Sequence, residues 1–168
     1  MERAGDPCGA SEQNALMVTT AVLEEIGRYV DKWAPFESGG VLIGNRAGAV
    51  FYAAEFVPLE GALPSPRRYQ ARAEHATRAI LRADRAGQSV VATVHSHPDG
   101  SDEPSQVDLQ NAYGYRDMLH VVVHFHKGAP VCRVYQYWRT TTGYCARPAA
   151  LVVASAAPAD APGADNRN

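Results

Sequence analysis

Two histidines one residue apart, His95 and His97, close the run Ser89-Val-Val-Ala-Thr-Val-His95, and Pro98 follows at once. In an extended strand, residues two apart project from the same face, so both imidazoles can aim at one point. Pro98 ends the strand and leaves the pair where solvent reaches it. A polar loop leads to Ser105-Gln-Val-Asp108 at the start of a short helix, which can return Asp108 to the same place. Two neutral imidazoles and one carboxylate suit Zn²⁺ and leave a fourth position for water, whose pKa such a site lowers to about 7. A hydrolytic site also needs a base to take the proton of the attacking water. The candidate is Glu37, just ahead of the glycine-flanked apolar run Gly39-Gly-Val-Leu-Ile-Gly44.

Each piece alone also has an ordinary structural account. A His-x-His pair on a strand is more often structural than metal-binding. Ser105 and Asp108 have the spacing of a helix capping box, and Asp108 is not expected to serve both as box partner and as metal ligand. A Glu at a strand entrance is ordinarily solvated. Gly39 and Gly40 suit either a close backbone approach or a plain turn.

The elements that must position these groups follow from hydrophobic period and turn residues. Ala15 to Val18 reads as a strand, and Thr19 or Thr20 caps a helix. Val22, Leu23, Ile26, Tyr29, Val30 and Trp33 form the apolar face of that helix until Pro35 stops it. The run from Gly39 pairs as a hairpin with a strand over Val50 to Val57. Pro58 to Gln70 is an exposed loop. A helix from Ala73 ends at Gly87. After the His-x-His strand and the Ser105 helix, strands over His120 to Phe125 and Val131 to Trp138 flank a Lys127-Gly128 turn. The expectation is a mixed central β-sheet with helices packed against it, an α/β fold.

At 168 residues the chain suits a single domain. Residues 1–14 read as a loose leader, 15–145 as the folded domain, and 146–168 as an Ala- and Pro-rich tail, mostly disordered apart from the patch Leu151-Val152-Val153. Sixteen basic against eighteen acidic side chains give a net charge of −2, which argues against nucleic acid or an anionic membrane as the main partner. Three cysteines without paired spacing argue against a disulfide framework and for the cytoplasm.

Taken together, Glu37 ahead of the glycine-containing strand, His95-Ser-His97-Pro, and Ser105-Gln-Val-Asp108 resemble the signature of the JAMM (MPN+, Mov34/PAD-1) zinc metalloproteases. Seven residues separate His97 from Ser105, as that signature requires. The resemblance covers roughly residues 15–140 and implies the MPN (cytidine-deaminase-like) fold. It implies that His95, His97 and Asp108 bind zinc. Glu37 would shuttle the proton from water to the leaving amine, and Ser105 would donate to the oxyanion. It implies a ubiquitin-like or sulfur-carrier protein as substrate, cut at an amide bond of its C-terminal tail in deconjugation or precursor processing, antiphage defence included. Arg greatly outnumbers Lys, present only as Lys32 and Lys127, which fits a bacterial stand-alone enzyme. Two alternatives stand beside this one: a hydrolase that releases an amino acid from a sulfur carrier, and a non-catalytic interaction module of the same fold. No cysteine nucleophile is needed, and Cys132 reads as a small buried side chain. His120, His124 and His126 read as structural or supporting, His75 as exposed, and Asp99, Asp102 and Glu103 as a solvated acidic loop. The oligomeric state is not legible.

Overall fold

The computed structural model describes residues 13–111 and 117–155. In chain order the elements are β1 (Ala15–Thr19), α1 (Thr20–Trp33), β2 (Gly39–Ala47), β3 (Val50–Leu59), α2 (Ala73–Arg85), β4 (Ser89–His97), α3 (Gln106–Gln110), β5 (Leu119–His126), β6 (Ala129–Thr140), β7 (Gly143–Pro148) and β8 (Ala150–Ala154). The eight strands form one mixed sheet in the order β7-β6-β5-β4-β2-β3-β1-β8. Pairing is parallel between β4 and β5, β1 and β3, and β1 and β8, and antiparallel elsewhere. This is the mixed α/β sheet with flanking helices that hydrophobic period predicts.

Strand alternation assigns the two faces. In β5, Val121 and Val123 join the cluster under α1, whereas Val122 joins the one under α3. Thr19 caps α1, its hydroxyl accepting from Val22 N at 3.3 Å. Val22, Ile26 and Val30 form the buried stripe, packed on Leu42, Phe56 and Val94. Burying each such side chain is worth roughly 1.5–3 kcal/mol. On the opposite face, α2 seats Ala79 and Ala83 on Val41, Ile43 and Leu59. The helix ends ahead of Gly87, whose φ of 66° suits glycine. Farther along that face, Leu109 of α3 packs on Val122, Tyr135 and Tyr137. His95 and His97 therefore lie at the C-terminal end of β4, on the face that carries α2 and α3.

The expected limit of the folded domain at residue 145, with a disordered tail beyond it, is corrected for the residues described. Gly143–Pro148 is strand β7, and Ala150–Ala154 is β8, in register along β1 from Ala15↔Ala150 to Thr19↔Ala154. Ala150 N also donates to Asn14 O, and Leu151 packs against the α1 cluster. The apolar patch Leu151-Val152-Val153 is too short to announce a strand among Ala and Pro, and the open edge of β1 pairs it into one. Residues 1–12 and 156–168, which hold most of the expected leader, Cys8 and the distal tail, lie outside the described residues. A chain ending at Pro148 should lose the Leu151 contact and uncover Leu16 and Val18, both 1% exposed. Its unfolding free energy, read by urea titration, should fall by roughly 2 kcal/mol or more.

Candidate metal centre

The local sequence around β2 and β4 forces two backbones together. Gly39 pairs with His95 across the antiparallel register. A Cβ on Gly39 would stand 2.0 Å from Val94 O, and one on Gly40 would stand 2.2 Å from Val57 O. Both glycines thus serve close approach within a strand, not a turn. The pairing continues past the strand end: Ser96 N donates to Ser38 O at 2.8 Å, and Ser38 N donates to Ser96 Oγ at 2.9 Å. Glu37 comes next along the chain, close enough to His97 and His95 for their charges to act on its carboxyl. From the other side, Glu37 N donates to Ser65 O at 2.8 Å, tying the loop after β3 to the site.

Gly39→Ala should therefore push β2 off β4 and separate Glu37 from the histidines. It should destabilise the chain, with the lowered thermal midpoint accompanied by weaker divalent-ion binding. An unchanged midpoint would contradict the close approach.

His95 Nε2 lies 3.1 Å from His97 Nε2, and Asp108 Oδ2 lies 3.3 Å from each of them. The imidazole rings meet at 67°. Three ligand atoms converge on one small space, all within 4.8 Å of one another. A tetrahedral ion with ligands near 2.0–2.1 Å requires ligand–ligand separations of about 3.3 Å. The donor set and its spacing thus fit such an ion. Among the described residues no other cluster of His, Cys, Asp or Glu does so. His120, His124 and His126 are accordingly outside it.

His97 Nδ1 lies 3.1 Å from Ser101 O. A carbonyl can only accept, so Nδ1 carries a proton, and once an ion takes the place of any proton shared between Nε2 and Asp108, Nε2 offers its lone pair to the metal. Sequence spacing does not reveal this contact, because the acceptor is a backbone atom.

Asp108 departs from expectation. Ser105 is the N-cap of α3 and forms a complete capping box with it. Ser105 N and Ser105 Oγ donate to Asp108 Oδ2 at 2.7 and 2.6 Å, and Asp108 N donates to Ser105 Oγ at 3.2 Å. The oxygen that takes both Ser105 donors is the one that faces the two imidazoles. Box partner and ligand position therefore coexist, because a carboxylate oxygen accepts from more than one direction. Ser105, exposed and beside the cluster, spends its hydroxyl proton on Asp108 in this arrangement.

The charges are coupled. Burial works to raise the Asp108 carboxyl pKa, but hydrogen bonds from His95, His97 and Ser105 and the charge of His95 win and hold it far below the usual carboxylate range. Burial works to lower His97, and the hydrogen bond and charge of Asp108, with Glu37 and the Ser101 carbonyl, raise it instead. Glu37 is half-buried, and its pKa is raised chiefly by desolvation, against the pull of His97 and His95. Asp108 and Asp99 push it the same way as burial.

The surrounding residues are mostly structural. His120 stacks on Tyr137 at 3.7 Å and 6°, with its Nδ1 2.8 Å from Thr93 Oγ1. His124, on β5 in register with His97, is buried, and its Nε2 meets no hydrogen-bond partner among the described residues. Asp102 is tied down, its carboxylate 3.7 Å from Arg133 Nε. Burial pushes the Cys132 thiol up to about 11, which leaves it protonated and unsuited to nucleophilic attack.

The family model for prokaryotic homologs of the JAB domain matches residues 19–139. A Thermus thermophilus protein described as a probable TtuB-protein conjugate cleaving protease is 32% identical over 111 residues, covering 66% of this chain and 71% of that protein. The solution structure of protein DSY2949 from Desulfitobacterium hafniense superposes with a TM-score of 0.73 at 20% identity, over 84% of this chain and 94% of that one. A Salinibacter ruber protein gives 0.59 at 24%, over 82% and 90%. These two structures share the fold.

Proposed function

This chain belongs to the family of prokaryotic JAB-domain homologs, and on that footing we propose that it is a zinc-dependent metalloprotease or isopeptidase. Its substrate is an amide bond at the C-terminal tail of a ubiquitin-like or sulfur-carrier protein. The observation that carries this reading is the convergence of His95, His97 and Asp108 on one ion-sized space, with the Glu37 carboxyl close enough to feel the charges of both histidines. The description of the Thermus relative as a conjugate cleaving protease supports the choice of substrate class.

His95 Nε2, His97 Nε2 and Asp108 Oδ2 would hold the ion. When bound, a zinc ion supplies Lewis acidity and makes water a usable nucleophile at neutral pH. The remaining work falls to side chains of this chain. The Glu37 carboxylate takes a proton from the attacking water and returns it to the departing amine nitrogen. Its raised pKa suits it to hold that proton between the two transfers. The Ser101 carbonyl holds the proton on His97 Nδ1, so that Nε2 faces the site. Ser105 orients Asp108 through the box, and its hydroxyl, once turned away from Asp108, is the donor we assign to a developing oxyanion.

The substrate tail lies as an added strand held by main-chain hydrogen bonds. The ribbon closed by the Gly61↔Ala71 bridge, and residues 99–104, are the contacts we assign to it. The test is incubation of purified protein with a ubiquitin-like protein carrying a C-terminal extension, with and without chelator, read by mass spectrometry. Zinc-dependent trimming is expected. No cleavage by the zinc-loaded protein of either an extended precursor or an isopeptide conjugate would overturn the assignment.

A further inference from the structure

We propose that Tyr135, on β6 and two strands away from the His-x-His pair, is a positioning residue that fixes the proton of His97 and thereby the affinity for the divalent ion. The inference rests on the metal-site reading above. The segment between Pro98 and Ser105 crosses the sheet over β5 and β6, and two consecutive carbonyls hold it there. Ser101 O accepts from His97 Nδ1 at 3.1 Å, and Asp102 O accepts from the Tyr135 hydroxyl at 2.7 Å. The Asp102 side chain adds a weaker tether through Arg133.

Tyr135 is itself anchored. It is 7% exposed and packs with Val122 and Tyr137 in the cluster that receives Leu109 of α3. Its phenol pKa is raised, first by burial and then by the charges of Asp102 and Glu103, so the hydroxyl keeps its proton and acts as a donor. A rigid, buried donor therefore grips the carbonyl next to the one that orients His97. Released, Asp102 would let Ser101 O drift from Nδ1. The Asp108 carboxylate, 3.3 Å from Nε2, would then draw the ring proton to that nitrogen, and an Nε2–H facing the site cannot ligate there. The same segment runs three residues on to Ser105, the cap that carries Asp108.

Tyr135→Phe in the full chain removes the donor and leaves the packing surface. Zn²⁺ and Co²⁺ affinities, measured by chelator competition well below the unfolding temperature, should fall about 10–100-fold. In the ion-free protein, at a pH high enough for the ring to be neutral, ¹⁵N chemical shifts of His97 should move from the Nδ1–H toward the Nε2–H pattern, a readout that lost stability alone does not change. Arg133→Gln, which loosens only the second tether, should shift both in the same direction by less. Unchanged affinity and unchanged ring shifts in a folded Tyr135→Phe would overturn the proposal, whatever the thermal midpoint does. Should that variant not fold, an Nε2–H tautomer at His97 in the wild-type protein overturns it equally. A wild-type chain that binds no ion defeats the hydrolase reading, and the ring shifts still decide the role of Tyr135.

Discussion

Glu37→Gln should bind one divalent ion per chain as the wild type does, yet lose amide hydrolysis by about 10²–10⁴-fold, the usual contribution of a positioned general base. The separation of the two effects follows from the geometry. Glu37 is not among the three converging ligand atoms, and its backbone is held independently by the Ser65 carbonyl. The amide is nearly isosteric and keeps the packing, but it cannot accept a proton at neutral pH. Ion content by atomic absorption and turnover of an extended ubiquitin-like substrate give the two numbers. Loss of the ion together with activity would make Glu37 a ligand, and full activity would remove it from the mechanism.

His97→Ala should abolish stoichiometric ion binding and, with it, all turnover. The wild-type protein gains stability from any ion that binds only the folded chain, about 2.7 kcal/mol at a hundredfold excess over Kd. In the variant the zinc-induced rise in thermal midpoint should vanish. Chelation exposes a second signature in the wild type. With no ion present, His97 has a raised pKa and Asp108 a lowered one. The His97 contribution to stability is full below the ordinary imidazole value of about 6.5 and is lost as pH rises through the raised one. The Asp108 contribution is present above the ordinary carboxyl value of about 3.9 and is lost only as pH falls toward its depressed one. Chelated wild type should therefore lose stability from pH 6 to pH 8 more steeply than chelated His97→Ala. Equal slopes would mean that the imidazole and the carboxylate do not interact as their 3.3 Å separation requires.

Much of this was legible along the chain because it is local. The same-face projection of His95 and His97 follows from the two-residue period of a strand, and the Ser105–Asp108 box from helix geometry. Thr19, Gly87 and the Lys127-Gly128 turn each stop or start an element through their own backbone preferences. Other features were not legible, because they depend on what lies across the sheet. Whether Gly39 and Gly40 were turn residues or a point of close approach is decided by Val94 O and Val57 O, which come from two other strands. The strand at Ala150–Ala154 joins apolar Leu151 and β-branched Val152 and Val153 to the edge that β1 offers, and that edge is visible only in the fold. Tyr135 lies 38 positions from His97 and bonds a carbonyl, which has no identity in a sequence.

The residue types and spacings by themselves determined the mixed α/β class and singled out His95, His97 and Asp108 as candidate ligands and Glu37 as candidate base, since strand period, helix capping and turn preferences act within a few residues. The tertiary structure alone decided that one oxygen of Asp108 both caps α3 and faces the imidazoles. It alone brought Glu37 within reach of the charges of His97 and His95 and set Ser101 O beside His97 Nδ1. Those outcomes depend on pairing between segments distant in the chain, and that pairing is governed by burial and backbone hydrogen bonding over the whole sheet.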